Sequence, residues 1–166
     1  MRAQPYPHTY SVAARGGPSG LVPLSSPGLP ELASAPAREF GGPGTHWSPE
    51  TLLVAAIADC YVMTFRAVSA AALFGWLKLE CRVDGVLERV KRAPCFTRLR
   101  TVATLTVAPG ADVAKARRLL RKTDAACLVA NSLRGERMLE AHVIAAASSA
   151  AGAGNELSPA ERSPIG

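Results

Sequence analysis

Several features that would place a chain early are missing here. Aromatic residues make up 5%, and none falls within the basic cluster Arg117, Arg118, Arg121 and Lys122, so nothing there builds a stacking groove for nucleic acid. The three histidines, His8, His46 and His142, lie far apart without ligand spacing. The four cysteines, Cys60, Cys81, Cys95 and Cys127, lack the close pairs of a zinc site and are too few for a disulfide framework in a chain this long. Neither a metal nor an organic cofactor is expected. The longest uncharged runs of the middle are broken by Asp59 and Arg66, so no membrane span is expected. The opening Met-Arg-Ala-Gln-Pro-Tyr-Pro has no apolar core followed by a cleavage site, unlike a secretory signal. The expected compartment is the cytoplasm, with the thiols reduced at rest. No internal repeat is found.

What is present suits one domain. The chain has 166 residues, of which 48% are hydrophobic and 19% charged, so it is not a disordered chain. At this size about two-thirds of the unfolded surface can be buried. Of 14 glycines and 13 prolines, 15 fall in residues 1–44, so turns and short strands come first and regular structure follows. The net charge of +6 permits anionic partners without requiring them. Its densest cluster, Arg117, Arg118, Arg121 and Lys122, reads as a solvated helix face rather than a nucleic-acid surface.

Local patterns give an element order. Tyr10–Ala13 is a first short strand, and Leu21–Leu24, which contains Pro23, an edge strand. Residues 25–45 read as loop. A long helix starts at Ser48, a good N-cap, with Pro49 in the first position and Glu50 adding negative charge to the first turn. Leu53, Ile57, Cys60, Thr64, Ala67 and Ala71 recur at spacings of three and four, widened by Leu52, Ala56 and Met63. The helix is expected to run to about residue 73 and to stop at Gly75. Residues 76–90 alternate, with Leu77, Leu79, Cys81, Val83 and Leu87 on one face. After a turn at 91–95, residues 96–108 form a second strand with Leu99, Ala103, Leu105 and Val107 inward, so the two make an antiparallel hairpin. Asp112 caps a helix over about 113–123, Cys127 opens a short helical stretch to Leu133, and Met138–Ile144 is a last strand. The domain is expected to span 1–145, and residues 146–166, rich in Ala, Ser and Pro, to be a disordered tail.

The cysteines differ in setting. Cys81 lies on the apolar face of a strand and Cys95 in a turn after Pro94, and both read as unreactive. Cys60 lies on the buried stripe of the long helix. Cys127 sits at a helix start, where a thiolate is favoured.

The run Thr45-His46-Trp47-Ser48-Pro49-Glu50 through Asp59-Cys60 resembles the signature of the OsmC/Ohr family of thiol-dependent peroxidases. A Pro-Glu pair opens a long helix and a cysteine follows ten residues later. The segment Ala126-Cys127-Leu128-Val129-Ala130-Asn131-Ser132-Leu133 and the upstream Phe40-Gly41-Gly42-Pro43-Gly44 also fit, and the likeness covers about residues 8–144. It implies an α+β fold, a long central helix packed on a curved antiparallel sheet in an intertwined homodimer. It implies Cys60 as the peroxidatic thiol and Cys127 as the resolving one, for organic hydroperoxides. It implies a small or protein-bound dithiol as reductant, lipoyl-type in the Ohr branch. Glu50 would orient an arginine that holds the thiolate. Arg38 matches the OsmC-type placement of that arginine, and Arg15 is the Ohr-type alternative. If residues 49–73 form one helix, Glu50 and Cys60 stand about 15 Å apart along it and about 80° apart around it, so the glutamate and arginine over a given thiol come most simply from a partner subunit. Asp59 stands where a small neutral residue is expected. A buried carboxylate there would disfavour the thiolate and favours a second reading, a non-catalytic dimer of the same fold binding a small apolar ligand.

Overall fold

The computed structural model describes residues 5–147, so nearly all of the tail expected at 146–166 lies outside the described residues. Its elements are β1 (Ala13–Ala14), β2 (Val22–Ser25), β3 (Leu32–Ser34), a 3-10 turn (Arg38–Phe40), α1 (Pro49–Ala71), β4 (Lys78–Val90), β5 (Ala93–Val107), α2 (Val113–Ala126), α3 (Leu128–Asn131) and β6 (Glu136–Ala145). They build two three-stranded sheets, β1-β2-β3 and β4-β5-β6.

The first sheet corrects the expected 25–45 loop. Leu32–Ser34 pairs antiparallel with β2, and β1 is shorter and later than expected, with Ala13 opposite Ser25. A three-residue strand of Leu, Ala and Ser carries too little alternation to be read from sequence. It sets the entry to α1: Ser34 bridges Trp47, and Ala35 N–H donates to the Trp47 carbonyl at 2.9 Å. The loop between them folds tightly. Gly42 N–H donates to the Ala37 carbonyl at 2.9 Å, and a Cβ on Gly42 would fall 1.6 Å from the Pro36 oxygen, so only glycine fits.

Helix α1 starts at Ser48. The Ser48 side chain accepts from Thr51 N–H at 3.2 Å, while Ser48 N–H donates to Thr51 Oγ1 at 2.8 Å. This is a reciprocal cap that satisfies two otherwise orphan donors. The helix ends before Gly75. Leu73, not a glycine, takes the left-handed position with φ 48°. Phe74 N–H then reaches the Ser69 carbonyl at 2.9 Å and Leu73 N–H reaches Ala70 at 3.1 Å, the two bonds of a Schellman end. A branched-chain residue in that conformation costs about 1–2 kcal/mol. Packing next to it offsets the strain: Trp76 Nε1 donates to Ser69 Oγ at 3.0 Å and meets Phe65 edge-on, with ring centroids 5.3 Å apart.

The buried row of α1 is Ile57, Tyr61, Phe65 and Ser69. The expected stripe is therefore rotated, with Ala56, Met63, Ala67 and Ala71 exposed on the chain. A helix this apolar has little contrast between faces, and the two aromatic rings decide which one packs. By length and composition α1 also passes for a membrane span despite Asp59 and Arg66. Here it lies along the second sheet and beside α2, to which Tyr61 is tied by its hydroxyl, donating to the Leu120 carbonyl at 3.0 Å.

In the second sheet β4 and β5 form the expected antiparallel hairpin, closed by two residues, Lys91 and Arg92, both at positive φ. The turn is shorter than 91–95, and Pro94 and Cys95 belong to β5. The sheet is mixed rather than wholly antiparallel: β6 runs parallel to β5, with Leu99 opposite Arg137 and Ala103 opposite Ala141. Parallel neighbours need a crossover, and α2 with α3 supplies it. The ladder skips Thr97, pairing Val86 with Arg98 and Leu87 with Phe96. That extra residue flips the alternation and turns Phe96 inward. Phe96 packs where Gly85 leaves room, since a Cβ on Gly85 would lie 2.8 Å from both Phe96 and Val54.

Two core clusters result. The larger joins Tyr61 and Phe65 of α1 to Ala103, Leu105 and Val107 of β5 and Ala116, Leu119 and Leu120 of α2. The smaller contains Ile57, Leu99, Cys127 and Ala130, with Cys60, Val83, Phe96, Val129 and Leu133 packed against it.

Candidate functional site

The smaller cluster brings Cys60 and Cys127 together. Cys60 comes from the middle of α1, one turn past Ile57. Cys127 is the residue between α2 and α3, where its own N–H still closes α2 on the Asp124 carbonyl at 3.3 Å. It is fully buried, and Cys60 is half-buried. Both thiols are free.

Their surroundings push them in opposite directions. Burial raises Cys60, but the N–H of Val129, the Cys127 thiol, the Thr64 hydroxyl and the N–H of Leu128 all donate toward its sulfur and together hold it below the ordinary thiol value. Thr64 Oγ1 lies 3.9 Å from Cys60 Sγ, one helical turn along α1. Cys127 is pushed up to about 11, chiefly by burial, and the neighbouring Cys60 adds to the rise while the Ala130 N–H opposes it. The Ile57 carbonyl, 4.0 Å from Cys127 Sγ, is a second acceptor in reach of the same S–H.

One inference from the sequence therefore reverses. Cys127 does stand at the start of a short helix, but the first N–H groups of that segment lower Cys60, while burial raises Cys127. Spacing along a chain cannot show which of two sulfurs a turn's donors face. Thr64 had appeared only as part of the apolar stripe, and nothing pointed to the Leu128 and Val129 amides.

The corner that carries Cys127 is latched from β6. Arg137, opposite Leu99, reaches across to the Asp124 carboxylate at 3.0 Å, to the Asp124 carbonyl and to Asn131 Oδ1. Asn131 in turn donates to the Ala125 carbonyl at 3.0 Å. Arg137 is a residue that sequence reasoning missed, because it lies on the inner face of a strand otherwise filled by Leu139, Ala141 and Val143.

Glu50 lies elsewhere. It borders an open cleft of about 470 Å³ whose walls include Glu39, Phe40, Val54, Gly85 and Phe96. Its Oε2 is buried and has no hydrogen-bond partner among the described residues. Within the chain neither arginine candidate bonds to Glu50 or to a thiol. Arg38 is exposed and lies across Gly44, its Nε 2.1 Å from where a Cβ would stand. Arg15 pairs with Glu31 at 3.0 Å. Asp59 is exposed. Cys81 is pushed up to about 11, chiefly by burial. Cys95 is exposed, on the hairpin that edges the Glu50 cleft. Among the described residues no group of His, Cys, Asp and Glu could hold a metal ion.

Comparison with known proteins places this arrangement. The model of the OsmC-like protein family matches residues 42–140. The uncharacterized protein YmaD of Bacillus subtilis is 26% identical over 111 residues, covering 64% of this chain and 74% of that protein. Among solved structures, an OsmC-like protein of unknown function from Vibrio cholerae superposes with a TM-score of 0.74 at 14% identity, over 81% of this chain and 99% of its own. The organic hydroperoxide resistance protein OsmC from Legionella pneumophila superposes with a TM-score of 0.64 at 26% identity, over 82% of this chain and 97% of its own.

Proposed function

Because the chain belongs to the OsmC-like protein family, we propose that it is a thiol-dependent peroxidase that reduces organic hydroperoxides to alcohols. The observation that carries this reading is the packing of two free thiols, Cys60 and Cys127, in one cluster, where the Leu128 and Val129 N–H groups favour a Cys60 thiolate and burial disfavours one at Cys127. A peroxidatic cysteine works as the thiolate, and a resolving cysteine waits protonated until it is needed.

The Cys60 thiolate attacks one peroxide oxygen. The O–O bond breaks, the alkoxide leaves and takes a proton to become the alcohol, and Cys60 becomes a sulfenic acid. The Cys127 sulfur then attacks the Cys60 sulfur, an S–S bond forms, and water leaves with the Cys127 proton. A dithiol, small or protein-bound, returns both thiols by exchange and carries the disulfide away. The apolar walls around Cys60, from Ile57, Leu99, Phe96 and Leu133, suit an alkyl or lipid hydroperoxide better than hydrogen peroxide.

Glu50 and its arginine, Arg38 or alternatively Arg15, enter this reading through a second subunit. In the chain itself they do not reach Cys60, while Glu50 has a buried oxygen awaiting a donor and α1 presents Ala56, Met63 and Ala67 outward. A homodimer that pairs these faces would supply both needs. The second reading, a non-catalytic module, drew on a buried Asp59; that residue is exposed on the single chain, but it shares the outward face of Ala56 and Met63, so a homodimer through that face would cover it.

The test counts thiols before and after one equivalent of an alkyl hydroperoxide. Two thiols per chain should be lost, with mass mapping placing the bridge between Cys60 and Cys127 while Cys81 and Cys95 stay reduced. Near-normal turnover in Cys60→Ser, or a main bridge through Cys81 or Cys95, would overturn the proposal.

A further inference from the structure

The corner between α2 and α3 is the least regular part of the crossover, yet the two backbone N–H groups that lower Cys60 and the Cys127 thiol beside it sit on it. The chain reads Asp124-Ala125-Ala126-Cys127-Leu128-Val129-Ala130-Asn131. One guanidinium, that of Arg137, grips both ends. On the α2 side it meets the Asp124 carboxylate at 3.0 Å and the Asp124 carbonyl, and on the α3 side Asn131 Oδ1. The side chains of Arg137 and Asp124 are only 24% and 25% exposed, so this ion pair is less solvated than surface pairs such as Arg15–Glu31 at 72% and 53%. A planar fork bonded at two places fixes orientation as well as distance. Neither α2's last turn nor the single turn of α3 could fix the corner unaided, since four residues make too few helical bonds to hold themselves.

We propose that Arg137 is a positioning residue of the thiol pair: it spans the corner and holds Cys127, with the Leu128 and Val129 N–H groups, in register with Cys60. The proposal deepens the peroxidase reading and rests on it for the resolving step. Two consequences follow. Loosening the corner withdraws donors from the Cys60 sulfur, so its thiolate becomes scarcer. It also removes the one positive charge that favours a Cys127 thiolate against burial, at the moment when Cys127 must give up its proton to attack the sulfenic sulfur. A latch of purely structural value would do neither.

The experiment uses the full chain with Arg137→Gln, Arg137→Lys and, as control, Arg100→Gln. Arg100 makes a comparable fork with Glu140, at 2.8 and 2.7 Å, on the opposite face of the same sheet. The first readout is the pH midpoint of Cys60 alkylation by iodoacetamide, resolved from Cys95 by mass spectrometry and needing no peroxide. The second is the rate at which the Cys60–Cys127 bridge closes after stoichiometric cumene hydroperoxide, against dimedone-trapped sulfenic acid. Arg137→Gln should raise the midpoint by about half a pH unit or more, about a threefold loss of thiolate at neutral pH, and slow closure by about tenfold. Arg137→Lys should fall between, keeping the charge beside Asp124 without reaching Asn131. Arg100→Gln should match the wild type. If Arg137→Gln fails to fold, Asn131→Ala, which cuts one arm of the latch, takes its place. An unmoved midpoint with closure at the wild-type rate, or an equal shift in Arg100→Gln, overturns the role of Arg137 and leaves the peroxidase reading standing. If the wild type forms no Cys60–Cys127 bridge, the peroxidase reading fails, and the alkylation midpoint alone decides on Arg137.

Discussion

Replacing Cys127 in two ways separates its role as a donor from its role as a resolving thiol. Four donors converge on the Cys60 sulfur, and the Cys127 S–H is the strongest of the two side-chain ones. Hydrogen bonds to a charged acceptor contribute about 1.5–3 kcal/mol, and a thiol is a weak donor, so about 1 kcal/mol is a fair share for this one. That energy is about 0.7 of a pH unit, or about a fivefold change in thiolate at neutral pH. Cys127→Ala deletes the donor and should raise the Cys60 midpoint by that amount. Cys127→Ser keeps a hydroxyl in place and should leave the midpoint near that of the wild type. Neither variant can resolve, so each should complete one turnover and then accumulate a sulfenic acid that overoxidises. The first turnover should nevertheless be about fivefold slower in the alanine variant at neutral pH, again by the thiolate fraction. Site-resolved alkylation across about pH 5–9 and single-turnover dimedone trapping measure the two quantities, with circular dichroism confirming that the buried site tolerates both changes. Identical midpoints in the Ala and Ser variants would refute the donor role, because the two differ at that position chiefly in having or lacking an O–H.

Three further outcomes are expected. Cys60→Ser and Glu50→Ala subunits, each inactive alone, should regain part of their activity when mixed and allowed to exchange, since a mixed dimer carries one site with both residues intact; no recovery despite demonstrated exchange would mean that the site lies within one chain or that Glu50 has another role. Gly85→Ala should destabilise the fold by about 1–3 kcal/mol, because the new methyl would stand 2.8 Å from both Phe96 and Val54; an unchanged Tm would show that the Phe96 ring has somewhere else to go. Alkaline pH should weaken the fold between about 9 and 11, because folded Cys81 and Cys127 keep their protons up to about 11 while the unfolded chain releases them near 9.0. Cys60, lowered in the fold, works the other way and adds stability as pH rises toward 9.0. Denaturant titrations of the wild type and Cys81→Ala across that window should show a flatter fall in the variant.

Elements with strong local signals were legible. The Ser48-Pro49 start of α1, the alternation of β4 and β5 and the Asp112 cap of α2 are each set by neighbours in sequence, and the structure has them in place, with Asp112 accepting from Lys115 N–H at 2.8 Å. What the sequence hid depends on distant partners. The pairing of β6 parallel to β5 is a choice of neighbour that alternation cannot reveal. The rotation of α1's buried row follows from where Tyr61 and Phe65 find room against β5 and α2. At the site, the two cysteines were visible through the family signature, but the direction of their shifts was not. That direction depends on which sulfur the 128–129 amides face, and the two sulfurs stand 67 residues apart in the chain. Arg137 was invisible for the same reason: its partners lie at 124 and 131, on the far side of a turn.

The latch on the Cys127 corner also has a place in time. Ribosomal synthesis runs from the N-terminus, so α1, the β4–β5 hairpin and the α2–α3 crossover all emerge before β6, and both site thiols exist before the strand that carries Arg137. Until Glu136–Ala145 docks beside β5, the corner has no guanidinium across it and Cys60 lacks a fixed set of donors. In the proposed scheme, Cys60 gains its full set of donors only once this strand has docked. The strand that completes the larger core, with Leu139, Ala141 and Val143 packed against it, is also the one that brings Arg137 to the corner.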